Sequence, residues 1–490
     1  MILHEKQITY YIGDVMKPVR SFLLYDKNIS KNSYTWNMLG CLLHAFQSTI
    51  MLIVLKRTVG LAAAGIFNIA YTNASLFYKM GHYGMRNYQV SDVKRKYSFK
   101  DYHLTRLITV FAMMLFGTAY IFYAAATKNY SSYKMNVMIW MLLFNAVDAY
   151  ESVYHGAYQQ NNRLDVAGRC MTIRMTLLII AYVISIIITK DQLISLIITT
   201  VSTFVVFIIF TLWTKHLTKP IAVISETAEN VDTKSVTTKS VTTESVTTEK
   251  HAKNAADKLS KNVDNNTVTD ATPVSTSKWK RVSALLVHCF PLFAGTFLAF
   301  YIANAPKYAI DSTLSNDIQG YYGIITQPIY VIYMLNDFIF MPQIYPLSKL
   351  WDEGRIDKFV KKSLKQVFIL ILLTLVCLAG AYFLGIPVLS VVFNSNLKPF
   401  KTSLMILMIG AGFLGMTGFL SSVITIIRCQ KYTMYGYIIV ALVALLFSNR
   451  VVKKYEILGA SIFYTSLMAL LTVIFLIILI VGVKKKTTKK

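Results

Sequence analysis

The chain has 490 residues, 55% of them hydrophobic, with a mean hydropathy of +0.49 and a formal net charge of +26. A soluble domain seldom holds many runs of about 20 apolar residues, so this composition excludes a soluble globular protein and describes a polytopic membrane protein. The basic residues flank the apolar runs instead of forming a soluble basic module. That excludes nucleic acid as a partner and leaves anionic lipid headgroups or an anionic substrate.

Residues 1–31 are polar and mixed in charge, with no cleavable signal peptide, so the first span is expected to act as an uncleaved insertion signal. Within them YYIGDVMKPVRSFLLYDK mixes aromatic and aliphatic residues with Lys17, Arg20 and Lys27. It reads either as an amphipathic helix on the inner membrane surface or as a plain tail. Apolar runs follow at 35–56, 60–80, 104–127, 134–156, 171–189 and 192–213, then at 282–303, 321–345, 366–388, 402–427, 432–448 and 457–483. At the length a helix needs to cross a bilayer these make about twelve spans, and closed barrels would show short alternating segments instead.

Residues 214–280 interrupt the pattern. SVTT recurs at 235, 240 and 245, and such a polar repeat cannot bury a core. The segment is expected to be a disordered cytoplasmic linker dividing an N-terminal six-helix bundle (32–213) from a C-terminal one (281–483), with a basic tail at 484–490. Loops rich in Lys and Arg, at 86–106, 163–174, 349–365 and the tail, follow even-numbered spans, which places both termini in the cytoplasm. Lys56 and Arg57, and Arg450, Lys453 and Lys454, run against that rule. Residues 350–365 read as a basic interfacial helix. Gly410, Gly412, Gly415 and Gly418 permit close helix packing in span 10. Cys41, Cys170, Cys289, Cys377 and Cys429 are scattered, without a CxxC pair, and read as buried packing rather than a disulfide framework or zinc site.

Span 4 is the most informative helix. Asn145, Asp148, Glu151, Ser152 and His155 fall on one arc, and lipid would not tolerate them there. Three readings compete: pairing with basic residues on neighbouring spans, uptake of a proton or cation, and contact with substrate hydroxyls. Asp148, the deepest, is the foremost ion-coupling candidate, with Glu151 and His155 beside it. An Asn336–Asp337 pair in the middle of span 8 is a second polar site. His44 and His288 lack ligand spacing and read as hydrogen-bonded interior residues, so no metal is expected. Arg86, at the end of span 2, is an orientation anchor or a bidentate phosphate contact. Arg174, near the start of span 5, either snorkels or faces the interior. After Ile302 a polar loop is expected, carrying Asn304, Pro306, Lys307, Asp311, Asn316 and Asp317, with Lys307 at the outer end of span 7. GxxxxGK[ST], HExxH and GxSxG motifs are absent, so neither ATP hydrolysis nor another catalytic activity is expected.

The stretch NAPKYAID, followed by GYYGIITQPIYVI and LSKLW, resembles the seventh and eighth helices of Wzx-type lipid-linked oligosaccharide flippases of the multidrug/oligosaccharidyl-lipid/polysaccharide (MOP) exporter superfamily. Arg57, Gly60 and Gly65 are similar to the Arg-x-x-Gly-then-Gly pattern after the first span of such proteins, where the arginine faces a central cavity. The loop 81–107 is similar to that of proteins from polysaccharide and teichoic-acid systems. The resemblance implies a MATE-like all-α fold of two six-helix bundles in the cell membrane. It also implies a polyprenyl-pyrophosphate-linked glycan as cargo, taken up by Arg57, Arg86, Arg174, Lys307, Asn336 and Asp337. Proton or sodium coupling is expected through Asp148, Glu151 and His155, with no bound cofactor. Membrane lipids, and glycosyltransferases and a polymerase of the same pathway, are the expected partners. Two other readings stay open: a MATE-like antiporter of cationic drugs, and a membrane enzyme of polysaccharide assembly.

Overall fold

The computed structural model describes residues 17–25, 27–92, 95–219 and 277–487, with backbone alone at 337, 338, 341, 486 and 487. The expected linker repeat and the first sixteen residues lie outside the described residues. Among the described residues every regular element is a helix. The first half holds α1 (17–24), α2 (Ile29–Thr58), α3 (Leu61–His82), α4 (Met85–Ser91), α5 (Phe99–Lys128), α6 (Ser132–Gln160), α7 (Leu164–Thr189) and α8 (Gln192–Thr214). The second holds α9 (Lys278–Thr313), α10 (Asn316–Ile325), α11 (Gln327–Phe340), α12 (Ile344–Asp352), α13 (Ile356–Gly380), α14 (Ile386–Phe393), α15 (Lys401–Ile426) and α16 (Gln430–Thr487).

Among the described residues, 8 helical stretches are long and apolar enough to cross a membrane by themselves. The remaining passes depart from that pattern for local reasons. α3 and α6 bury many polar side chains. One pass is broken into α10 and α11 at Thr326. α16 bends at Glu456 (φ 47°, ψ −129°) and so supplies two passes. The result is the expected architecture of two six-helix halves. Side chains set several helix starts: Ser98 and Asp101 form a capping box at α5, while Ser131, Asp191 and Ser315 cap α6, α8 and α10.

Lipid tails are as apolar as leucine, so helices in a membrane are held by close contact rather than by the hydrophobic effect. α2 packs on α7, α15 on α16, and α9 on α16. The halves meet chiefly through α3, which lies against α10 and α9. Glycines make that crossing close. A methyl group on Gly65 would overlap the Asn316 carbonyl, and one on Gly320 would stand 2.6 Å from the Leu61 carbonyl oxygen. Gly60, at φ 126°, turns the chain from α2 into α3 in a conformation that other residues rarely adopt. This end of the bundle, opposite the linker, is called the far face below; the other end is the linker face.

Several expectations are corrected. The polar stretch after Ile302 is not a loop: α9 continues through Asn304, Pro306, Lys307 and Asp311 to Thr313. Its polar side chains are buried against neighbouring helices, which removes the need for a watery loop. Residues 350–365 are not one interfacial helix, because Gly354 (φ 69°) separates α12 from α13, and the basic stretch is the opening of α13. Helix α1 is docked on protein: Leu23 is fully buried, and Arg169 donates to the Phe22, Leu23 and Tyr25 carbonyls. Cys41 and His288 are exposed rather than interior. Gly418 faces open space, whereas Gly410, Gly412 and Gly415 are in contact with Tyr464, Thr374 and Asn336.

Candidate functional site: buried charges between the halves

The arc predicted on α6 is buried, with Asn145, Asp148, Glu151, Ser152 and His155 between 4 and 7% exposed. α6 sits inside the first half, against α3, α5, α7 and α8, so that arc has no route to lipid. Asn145 and Ser152 are satisfied within their own helix, by the Met141 and Ala149 carbonyls. The carboxylates need partners, and α7 supplies one. The Arg174 Nη2 atom pairs with Asp148 and, at 2.7 Å, with Glu151. His44 on α2 stands 3.5 Å from Asp148, and His155 stands 3.6 Å from Glu151. Of the three readings, pairing with a neighbouring span is the geometry present. The His44 side chain is 35% exposed, so the chain of charges reaches open space there.

A second group of cations lies toward the linker face. Arg86 on α4 donates to Gln159 Oε1 at 3.3 Å. Arg106 on α5 is fully buried and donates from Nη1 to the Gly81 carbonyl near the end of α3, while its Nε and Nη2 have no hydrogen-bond partner among the described residues. Lys79 on α3 rests on aromatic faces, 5.3 Å from the Phe300 ring centroid and 5.7 Å from that of Tyr78. His82 follows Lys79 by three residues in the last turn of α3. Among the described residues no carboxylate forms an ion pair with Lys79, Arg86 or Arg106. Elsewhere in this half the buried charges are paired, Asp101 with Arg281, Lys134 with Asp311 and Arg169 with Asp165, so Lys79, Arg86 and Arg106 are set apart as cations with no carboxylate at ion-pair distance among the described residues.

From the second half, Lys307 is 5% exposed and lies 5.9 Å from the Tyr330 ring centroid. Tyr330 is 47% exposed although it neighbours the buried Tyr322 and Tyr464, so space opens beside it. Tyr71 is on α3, the helix through which the halves chiefly meet. Thr49 donates to Gln327 Oε1 at 2.7 Å across the same boundary.

The other predicted residues are placed elsewhere. Arg57 is exposed at the far face and donates to the Val392 and Val391 carbonyls at 2.7 and 2.5 Å, capping the end of α14. Asn336 is buried against Gly415, and its amide has no hydrogen-bond partner among the described residues. The Asp337 side chain lies outside the described residues, and its backbone is part of α11. Lys79, Arg106 and Asp311 were missed as site residues. For Arg106 a signal existed: the Ser98–Asp101 capping box starts the helix at Phe99 and carries Arg106 two turns inside it. Among the described residues no group of three or more His, Cys, Asp or Glu is arranged to hold a metal.

No family model matches the sequence, and no curated protein matches it either. Solved structures do match. An inward-facing multidrug resistance MATE family transporter of the MOP superfamily aligns over 91% of this chain and 95% of its own, with a TM-score of 0.58 and 12% identity. A MOP superfamily transporter from Pyrococcus furiosus, described as having a binding pocket of reverse polarity, aligns over 96% and 98% with a TM-score of 0.53 and 13% identity. A eukaryotic MATE transporter aligns over 94% and 99%, with a TM-score of 0.53 and 10% identity. The chain is thus a multi-pass, all-α membrane protein with the fold of MATE transporters of the MOP superfamily.

Proposed function

We propose that the protein is a transporter that moves a polyprenyl-pyrophosphate-linked oligosaccharide, such as a polysaccharide or teichoic-acid repeat unit, from the inner to the outer leaflet of the cell membrane. The observation that carries this reading is the group of Lys79, Arg86 and Arg106 in the first half, none of which forms an ion pair with a carboxylate among the described residues. Charge in the middle of a membrane protein is costly unless it is matched, and a pocket with excess positive charge is matched by an anionic cargo. The diphosphate cannot cross hydrocarbon unaided. Cations facing the interior replace its water, and the half-exposed Tyr330 is available to sugars.

Rocking of one half against the other would expose this interior to each side in turn. On this reading the linker face is cytoplasmic, and Asp148 with Glu151 and His155 couples the cycle to a proton or sodium gradient. Pathway glycosyltransferases and a polymerase would supply and consume the cargo. The test is translocation of a fluorescent lipid-diphosphate oligosaccharide in proteoliposomes, with Asp148→Asn slowing it while the protein still folds. A transport rate indifferent to both Asp148→Asn and an imposed ion gradient would remove the coupling step.

A second reading, antiport of cationic drugs, draws on the likeness in fold to a multidrug resistance MATE family transporter. It requires acidic groups to dominate the interior, and here Asp148 and Glu151 are both already bound by Arg174.

A further inference from the structure

Two basic groups at the far face run against the charge rule that sets orientation, and the fold accounts for one of them. Lys56 and Arg57 donate to the Asn394, Val391 and Val392 carbonyls, where the end of α14 offers backbone acceptors and the negative end of its dipole. The other far-face cations of the first half lie beside carboxylates. Lys128 and Lys134 share Asp311, and Lys190 is followed in the chain by Asp191, the cap of α8.

The second half differs. Lys398, Lys401, Arg450, Lys453 and Lys454 are all exposed there, and among the described residues none has a carboxylate at ion-pair distance. Asp311 is taken by the first half, which leaves Asp317 and Glu456, both exposed. The five cations come from two turns, and the turns are neighbours. Thr465 Oγ1 donates to the Ile406 carbonyl at 2.8 Å and Thr472 Oγ1 to the Phe413 carbonyl at 3.3 Å, so α15 and the second leg of α16 run parallel at a constant offset of 59 residues. That offset sets Lys398 and Lys401 beside 457–460, directly after the bend at Glu456 that Lys453 and Lys454 approach. The last turn before a bend favours cations. Lys398 and Lys401 instead open α15, the end of a helix where a cation is disfavoured, so the helix dipole does not account for them.

Depth identifies what faces the group. Lys401 Nζ lies 3.8 Å from the Tyr382 ring centroid, and Lys454 Nζ lies 5.0 Å from that of Tyr455. Tyr382 and Tyr455 are 51% and 53% exposed, and Phe383 beside Tyr382 is barer still. Exposed tyrosines with lysines against them, next to a bare phenylalanine, mark the level where hydrocarbon gives way to headgroups. At that level the anion within reach is a lipid phosphate.

We propose that Lys398, Lys401, Arg450, Lys453 and Lys454 form a site on the second half for the headgroup of an anionic phospholipid in the leaflet at the far face. The first half has no equivalent, because its cations are already engaged by protein. The site is separate from the interior cluster and independent of the cargo.

The test uses the full-length protein with Cys41→Ser, which removes the exposed cysteine, and Thr402→Cys, an exposed position beside Lys401 that carries a bimane label. In phosphatidylcholine nanodiscs, quenching by a trace of 5-doxyl phosphatidylglycerol is compared with quenching by 5-doxyl phosphatidylcholine. The expected ratio is about threefold or more in favour of phosphatidylglycerol, falling to about one when Lys398→Gln, Lys401→Gln, Lys453→Gln and Lys454→Gln are combined. Lys358→Gln with Lys361→Gln, exposed at the linker face, should leave the ratio unchanged. Equal quenching by the two lipids in the unaltered site overturns the proposal. So does a ratio that survives the combined variant, or one that falls as far in the linker-face variant, since overall charge would then set it. Inorganic phosphate added at constant ionic strength should not change the ratio. Phosphate that abolishes it assigns these cations to a soluble anion and overturns the lipid headgroup as their ligand.

Discussion

Lys134 and Asp311 come from opposite halves of the chain, and the lysine Nζ stands 2.6 Å from the carboxylate at the far face. Lys128 reaches the same carboxylate at 3.0 Å, the Tyr130 hydroxyl donates to it, and Lys134 also donates to Asn316 Oδ1 at 3.1 Å. Asp311 is 1% exposed by its side chain, so one buried anion holds two cations of the other half. Arg57 adds a second tie between the halves through the Val391 and Val392 carbonyls of α14. At the linker face the halves are bridged by Arg281 on α9 and Asp101 on α5, 3.2 Å apart.

Removing the hub anion should open the far face. Asp311→Asn leaves Lys128 and Lys134 without their counterion, and breaking a buried pair in this way costs about 3–5 kcal/mol. Unfolding in detergent should register the loss. Labelling of a Thr313→Cys reporter by a membrane-impermeant maleimide should rise as the far face opens. Unchanged labelling would show that Asp311 does not hold the halves together.

The glycine crossing between α3 and α10 gives a steric prediction. Gly65→Val forces a side chain into the Asn316 carbonyl and should destabilise by about 1–3 kcal/mol or more, since overpacking against backbone cannot be relieved by a rotamer change. Gly418→Ala meets nothing within 4 Å and should be neutral or stabilising by up to about 1 kcal/mol. Thermal unfolding of both variants in the same detergent makes the comparison.

The triad of Arg174, Asp148 and Glu151 predicts an asymmetry. Arg174→Gln strands two buried carboxylates and should cost about 3–5 kcal/mol, whereas Asp148→Asn keeps the pair with Glu151 and should cost clearly less. The double variant should depart from additivity by about 0.5–3 kcal/mol, as expected for side chains in direct contact. Additive losses would mean that the three groups do not act as a unit.

At the linker face, Arg169 holds α1 through three carbonyls and is itself 3.3 Å from Asp165. Arg169→Ala should release residues 17–25, at a cost of about 1.5–3 kcal/mol per hydrogen bond lost from a charged group at most. Faster amide exchange confined to that segment is the expected signature. Arg163→Ala, which removes weaker contacts of 3.3 and 3.4 Å to Tyr25 and Leu24, should show a smaller change.

The helix count and the two-half architecture were legible because most passes are apolar runs of bilayer length, and that pattern needs no tertiary information. Asp148, Glu151 and His155 were legible for the same reason, as polar residues on an arc that lipid forbids. What composition could not reveal was pairing. Arg57 looks like a cavity residue beside span 1, yet it caps α14, some 330 residues away in the chain, where helix ends leave carbonyls free. Asp311 looked like part of a wet loop because proline and polar residues crowd around it. The structure keeps that stretch helical: Asp311 pairs with Lys128 and Lys134 of the other half and Tyr308 donates to the Thr72 carbonyl, while Asn304 donates within α9. Lys79 and Arg106 look like orientation anchors, since a lysine or arginine near the end of an apolar run usually is one. Their burial depends on α9 closing over them, a contact between residues roughly 180–220 positions apart.

The central claim is that the interior takes a diphosphate-headed lipid and carries it between leaflets. Proteoliposomes holding a labelled polyprenyl-diphosphate oligosaccharide in one leaflet, scored for its arrival in the other, measure that directly. The account predicts arrival that depends on the protein and falls at least tenfold in Arg86→Gln. Protein-free rates in the presence of the unaltered chain, alongside uptake of a cationic dye by the same vesicles, would contradict it.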